Sequence, residues 1–234
     1  MFFVGAVAGP FQSVFSTLLL LAVIVLGVMT TFFVSRLLSK TILKGIPSSF
    51  TLELPPYRKP QIGKVIVRSV FDRTLFVLGR AAAVAAPCGL LIWLMANITV
   101  GDMTILGHCS SFLDPVARLM GLDGVILLAF ILGFPANEIV VPIIIMAYMS
   151  QGSILDLDLL ALKDLLVTNG WTWLTAVCTM LFSLMHWPCS TTCMTIRKES
   201  QSLKWTAVSF LVPTLFGFVI CCSVAGLARL FGLA

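Results

Sequence analysis

Charged residues in this chain fall so that five long runs are left almost without them: four contain no Asp, Glu, Lys or Arg, and the fifth, Gly124 to Leu155, contains only Glu138. About twenty apolar residues in a helix cross the roughly 30 Å hydrocarbon core of a bilayer, and in hydrocarbon each backbone N–H and C=O must find its partner within the chain. Apolar side chains make up 59% of the sequence and charged ones 11%, against about a quarter charged in soluble domains. A soluble fold is excluded. The formal charge of +5 invites comparison with nucleic-acid binders, but nine of the fifteen Lys and Arg residues lie between Arg36 and Arg80, so no second basic surface is left. The partner this block suits is anionic lipid, not nucleic acid.

The expected fold is all-α: a polytopic transmembrane bundle of about five spans, two of them broken, with a cytoplasmic amphipathic helix. Span one runs from Phe11 to Val34 and ends at Arg36. Span two is Ala81 to Thr99. Span three lies within Gly124 to Ser150, span four occupies Leu166 to Ile196, and span five runs from Trp205 to Ala228. The start lacks the basic n-region of a cleaved signal, so span one reads as retained. Residues 1–38 form the first span, 39–80 a basic loop and 81–234 a second membrane domain.

The basic loop belongs in the cytoplasm, which places the N-terminus outside. Simple alternation then makes the Asp102–Asp123 segment external, and the Asp156–Asp164 loop and the C-terminus cytoplasmic. Arg197, Lys198 and Lys204 dissent, since alternation turns them outward; the conflict disappears if one broken span is re-entrant. Within the loop, Pro55, Pro56 and Pro60 predict an extended Leu52–Pro60. After it, Ile66, Val67, Val70, Phe71, Val77 and Leu78 project to one half of a helix and Lys64, Arg68, Asp72, Arg73 and Arg80 to the other, the pattern of a helix on the headgroups or a docking surface.

Chemistry concentrates at the two breaks. Gly133, Pro135 and Pro142 interrupt span three and Pro188 interrupts span four. A proline offers no N–H, so the carbonyls of Ile131, Glu138 and Leu184 are predicted to lose their helical partners. Unwound carbonyls at half-helix ends are cation ligands where they line a wet cavity. Moving an ionised carboxylate into the membrane costs several kcal/mol, about 2.5 to 3.5 on insertion scales, so Glu138 marks a solute path. Asn137 and Glu138 offer oxygen, His186 nitrogen and Cys189 a thiolate, a mixture suited to a borderline divalent transition ion rather than Mg²⁺ or Ca²⁺. If span four were continuous, Cys193, Cys189, Met185 and Cys178 would form a soft-ligand stripe, with Met185 and Cys193 as secondary ligands. Cys and Met are also ordinary core fillers, and Cys88, Cys221 and Cys222 read as packing. The seven cysteines form no paired CxxC, which supports neither a structural zinc site nor a disulfide framework.

The strings Glu53-Leu54-Pro55-Pro56-Tyr57-Arg58, Gly133-Phe134-Pro135-Ala136-Asn137-Glu138-Ile139-Val140 and His186-Trp187-Pro188-Cys189-Ser190-Thr191-Thr192, in this order and spacing, resemble the membrane region of bacterial ferrous iron transport protein B (FeoB). The resemblance implies a multi-pass permease of the bacterial cytoplasmic membrane, with Fe²⁺ as transported substrate and no tightly bound cofactor. It also implies that residues 81–234 are the second of two Gate repeats. The G domain and first Gate that precede this region in the family are expected on a separate chain, and a homo-oligomer is a further expectation. Pro135, Asn137, Glu138, His186, Cys189 and Ser190 match the family's motifs. No GxxxxGK[ST] loop, HExxH or Gly-x-Ser-x-Gly occurs, so no enzyme activity is expected. The alternatives are a nucleoside or other organic-solute permease and a non-transporting interaction subunit or fragment.

Overall fold

The computed structural model describes residues 11–41, 61–68, 71, 75–149 and 159–232. The predicted extended segment Leu52–Pro60 and the acidic residues Asp72 and Asp156 lie outside them. Two helices are long and apolar enough to cross a membrane alone, α1 (Phe11–Thr41) and α10 (Leu203–Leu230), as spans one and five require. They serve as rulers for everything between.

α1 and α10 run antiparallel. Thr30 to Leu38 on the second half of α1 face Trp205 to Phe216 on the first half of α10, and Phe33 meets Phe216 edge-on at 6.3 Å. Near the middle of α1, Gly27 receives the Leu184 side chain; a Cβ there would lie 3.1 Å from it. Near the middle of α10, Gly217 lets the chain pass close to the Met185 carbonyl. Leu184 and Met185 therefore lie at half-height.

Span four is two half-helices around that level. α8 (Trp173–Met185) begins beside the end of α10, where the Cys221 thiol reaches the Cys178 carbonyl at 3.5 Å, and descends to half-height. Residues 186–189 are non-helical, and α9 (Ser190–Ser200) continues toward the start of α10, reached through Gln201 in the left-handed region at φ 50°. Thr172 caps α8 by accepting from the Thr175 amide.

Span three does not cross. α5 (Gly124–Leu132) starts beside Gly121, which lies against Ala225 of α10, and its break reaches half-height, where the Ser190 amide donates to the Phe134 carbonyl at 2.8 Å. A 3₁₀ turn over Asn137–Ile139 then leads into α6 (Val140–Met149), which returns to the starting level. There Tyr148 donates to Asp123, the N-cap of α5, and accepts from the Trp171 indole at 2.8 Å. A helix of nine residues is about 14 Å long, half the hydrocarbon thickness, so α5 and α6 form a re-entrant hairpin. Gly133 is required at its tip because a Cβ would lie 2.5 Å from a Val140 methyl.

The hairpin overturns simple alternation. With the basic loop cytoplasmic, Lys40, Lys204, Arg197 and Lys198 share one side, and the dissenting loop obeys the positive-inside rule. Residues 118–123, α7 (Leu159–Thr168) and the end of α10 share the other, where Arg229 donates to the Arg118 carbonyl. On that premise the C-terminal end of α10 and α7, the described part of the Asp156–Asp164 segment, lie on the side opposite the basic loop, whereas simple alternation had put them with it.

The remaining elements frame this core. α3 (Phe76–Asn97) is span two, beginning five residues before the predicted Ala81. A short antiparallel pair, β1 (Thr99–Val100) and β2 (Met103–Thr104), leads to α4 (Ile105–Leu119) in a segment read from sequence only as an external connection. α4 bends from α5 by 107°, and α7 from α8 by the same angle. Gly124 permits the first crossing, since a Cβ would stand 2.0 Å from the Ser110 carbonyl oxygen. α2 (Ile62–Arg68) covers part of the predicted amphipathic helix, and Ile66, Val67, Phe71 and Leu78 of its apolar half are exposed. The core is built from Ile126, Ala129, Phe130, Ile143, Phe182 and Cys221, on α5, α6, α8 and α10.

Candidate functional site

Both breaks end on an aromatic-proline pair, Phe134-Pro135 and Trp187-Pro188, and they meet at half-height. Ser190 is the joint: buried, it gives its amide to the Phe134 carbonyl, and its hydroxyl lies 3.5 Å from the Pro135 carbonyl. Phe210 of α10 closes the joint from the side, stacked on Trp187 at 5.8 Å and edge-on to Phe134 at 5.9 Å.

The carbonyls differ from the proline arithmetic. That of Ile131 is not free, because Phe134 turns back to donate to it at 3.2 Å. The unwound carbonyls of this break are those of Phe134 and Pro135, and Ser190 takes both. Pro142 is the third residue of α6, in the first turn where a helix amide has no intrahelical partner, so it starts the returning helix rather than breaking one.

The side chains form two groups. Asn137 and Glu138 sit exposed at the hairpin tip, Asn137 lining a cavity of about 330 Å³ that also touches Thr179 and Ser183 of α8 and Trp171 at the external mouth. His186 lies among Phe130, Phe182 and Trp187, with ring centroids 5.2, 6.1 and 5.9 Å away. Its Nδ1 is 2.8 Å from the Ser183 carbonyl; a carbonyl only accepts, so Nδ1 carries the proton and Nε2 holds the lone pair. That Nε2 and the Trp187 indole nitrogen are buried without a partner among the described residues. A neutral imidazole with its second nitrogen anchored is the form that ligates transition metals.

Cys189 is the N-cap of α9, with its sulfur 3.1 Å from the hydroxyls of both Thr191 and Thr192. Cys193 turns its thiol to the Pro188 carbonyl at 3.6 Å. The soft-ligand stripe is not formed, because the break separates Met185 and Cys178 from Cys189, and Cys178 and Met185 are buried in packing. Among the described residues no three of His, Cys, Asp and Glu gather at metal-binding distance. The fold thus joins the backbones of the two breaks and leaves Glu138 outside any ready-made ligand cluster.

Three features escaped the sequence reading. The aromatic wall of Phe130, Phe182 and Phe210 looks like ordinary core in a sequence this apolar. The Asp123–Tyr148–Trp171 network could have been suspected, since a tyrosine in an uncharged run needs a partner for its hydroxyl. Ser183 acts through its carbonyl, which no side-chain pattern reports.

Helices α1, α3 and α10, a broken crossing pair and a re-entrant hairpin meeting it at half-height define a polytopic helical membrane protein. Residues 20–73 match the family model described as "Ferrous iron transport protein B C terminus", and residues 78–203, more than half of the chain, match the model described as "Nucleoside recognition". The Fe(2+) transporter FeoB of Staphylococcus aureus is 31% identical over 215 residues, covering 87% of this chain and 30% of that protein. The Leptospira interrogans relative of the same name is 27% identical, covering 82% and 30%, and the Synechocystis one 29%, covering 73% and 28%. No solved structure matches the chain. The chain belongs to the ferrous iron transport protein B family and is a multi-pass membrane protein. It spans about 30% of the length of the curated relatives it matches.

Proposed function

We propose that this chain is a membrane-permease part of a ferrous iron uptake system, and that Fe²⁺ passes the level at which the two helix breaks meet. The observation that carries the reading is the Ser190–Phe134 hydrogen bond, which couples the two motifs matching the family. Its chemical support is the donor set: carboxylate and amide oxygen at the hairpin tip, an anchored neutral imidazole, and a thiol at a helix start, a set suited to a borderline ion. Because no cluster is pre-assembled, the ion keeps part of its water and meets Glu138, Asn137, His186 and Cys189 in turn, with Ser190 holding the breaks in register and Cys193 and Met185 outside the path.

The test is Fe²⁺ uptake by cells carrying Glu138→Gln or Cys189→Ser in the assembled transporter. Each is expected to lower uptake about tenfold or more, the loss that removing even a hydrogen-bond partner of a metal ligand typically brings; unchanged uptake in both sinks the site. The chain has no catalysis of its own in this reading and no tightly bound cofactor. The rest of the permease and any nucleotide-driven step are supplied by the portion of the family's architecture beyond these residues.

A second reading, an organic-solute carrier, is favoured by the nucleoside-recognition model and by the donor–acceptor pair of the Trp187 indole and His186 Nε2. Competition separates the two. Mn²⁺ and Co²⁺ should depress uptake by an iron permease and leave a nucleoside carrier unaffected.

A further inference from the structure

The cleft between α1 and α10 is independent of the proposed ion path. It measures about 440 Å³, is closed at half-height where Leu184 enters against Gly27, and runs along α1 to Leu38. Eleven residues of helix span about 16 Å, the depth of one leaflet. Its wall is mainly apolar: the Thr30 and Thr31 hydroxyls are turned back onto the Leu26 and Gly27 carbonyls and Ser209 onto Thr206, and Ser35 is the fourth hydroxyl on it. The apolar lining includes Val34, Leu38, Val208, Val212, Pro213 and Phe216. Most of α1 is exposed along its length, with Val34 and Leu38 half-buried, so the cleft is open from the side of α1.

The cleft ends at the cytoplasmic face in a basic band. Lys204 stands exposed immediately before the lining Trp205, Arg197 and Lys198 close α9 one turn earlier, and Arg36 and Lys40 flank the end of α1 at the same level. None of the five makes an ion pair among the described residues. A tryptophan next to exposed Lys204, with Arg36 and Lys40 at the end of α1, at the mouth of an apolar slot one leaflet deep is complementary to a lipid with an anionic head group.

We propose that this cleft is a binding site for one anionic phospholipid of the cytoplasmic leaflet, with an acyl chain between α1 and α10 and the phosphate on the basic band led by Lys204. The lipid completes the packing of α1, which meets Leu184 at Gly27 and Phe216 at Phe33.

The test is native mass spectrometry of the purified chain offered phosphatidylglycerol or phosphatidylcholine at equal concentration. The expected result is one retained phosphatidylglycerol with phosphatidylcholine lost, discrimination reduced several-fold by Arg197→Gln with Lys204→Gln, and loss of both lipids in Val212→Trp, which fills the slot. Equal retention of the two lipids, discrimination unchanged in the surface double variant, or retention unchanged in Val212→Trp overturns the proposal. So does retention that disappears when the rest of the transporter is co-expressed, because protein then covers the cleft. The surface variant removes no packing, so a folding failure of Val212→Trp leaves a decisive arm.

Discussion

Tyr148 shows how one side chain holds an element in place. Its hydroxyl donates to Asp123 and accepts from Trp171, tying the two ends of the hairpin to the start of the α8 arm. Tyr148→Phe keeps the ring and takes from the Asp123 carboxylate the hydroxyl that donates to it. It should cost about 1–3 kcal/mol, the usual penalty for stranding a buried polar group, seen as a lower Tm of the solubilised chain with unchanged helix content. Phe134 and Pro135 show the limit of reasoning one residue at a time: proline dictates which amide is missing, but the carbonyls actually unwound were those the turn geometry exposed, and a serine fifty-five residues away took them.

The hairpin is the element on which topology turns. A run of about twenty-five residues whose one charge is Glu138 is equally consistent with one crossing and with two half-crossings, since burial in hydrocarbon favours both. Sequence marked where the helix breaks, through Gly133 and Pro135, but not whether the chain continues or returns; that depends on long-range contacts between Asp123 and Tyr148 and between Phe134 and Ser190. A membrane-impermeant maleimide tests the outcome. With the basic loop cytoplasmic, a cysteine replacing exposed Asn169 should be labelled from outside intact cells, and one replacing exposed Ser200 only after the membrane is opened. The reverse pattern at Asn169 would restore a crossing third span. The breaks of spans three and four and the extents of spans one, two and five were legible because hydropathy and proline act locally. α4 and α7 were not, because their amphipathic pattern carries charges that read as connecting loop.

For the molecule as a whole, the matched relatives are about three times longer, and the candidate site gathers no complete coordination shell among the described residues. The chain alone in liposomes is therefore expected to show no Fe²⁺ flux above protein-free vesicles, measured with a fluorescent chelator inside; saturable flux would mean that the path is complete within it. What the sequence determined by itself was the class, a helical membrane bundle broken at two places, because twenty-residue burial and the missing proline amide are properties of local composition. Its motifs also pointed to the family that the comparisons then established. Only the tertiary structure decided that the third span returns, that the Arg197–Lys204 turn shares a side with the end of α1, and that Ser190 joins the two breaks, because each depends on which distant residues become neighbours.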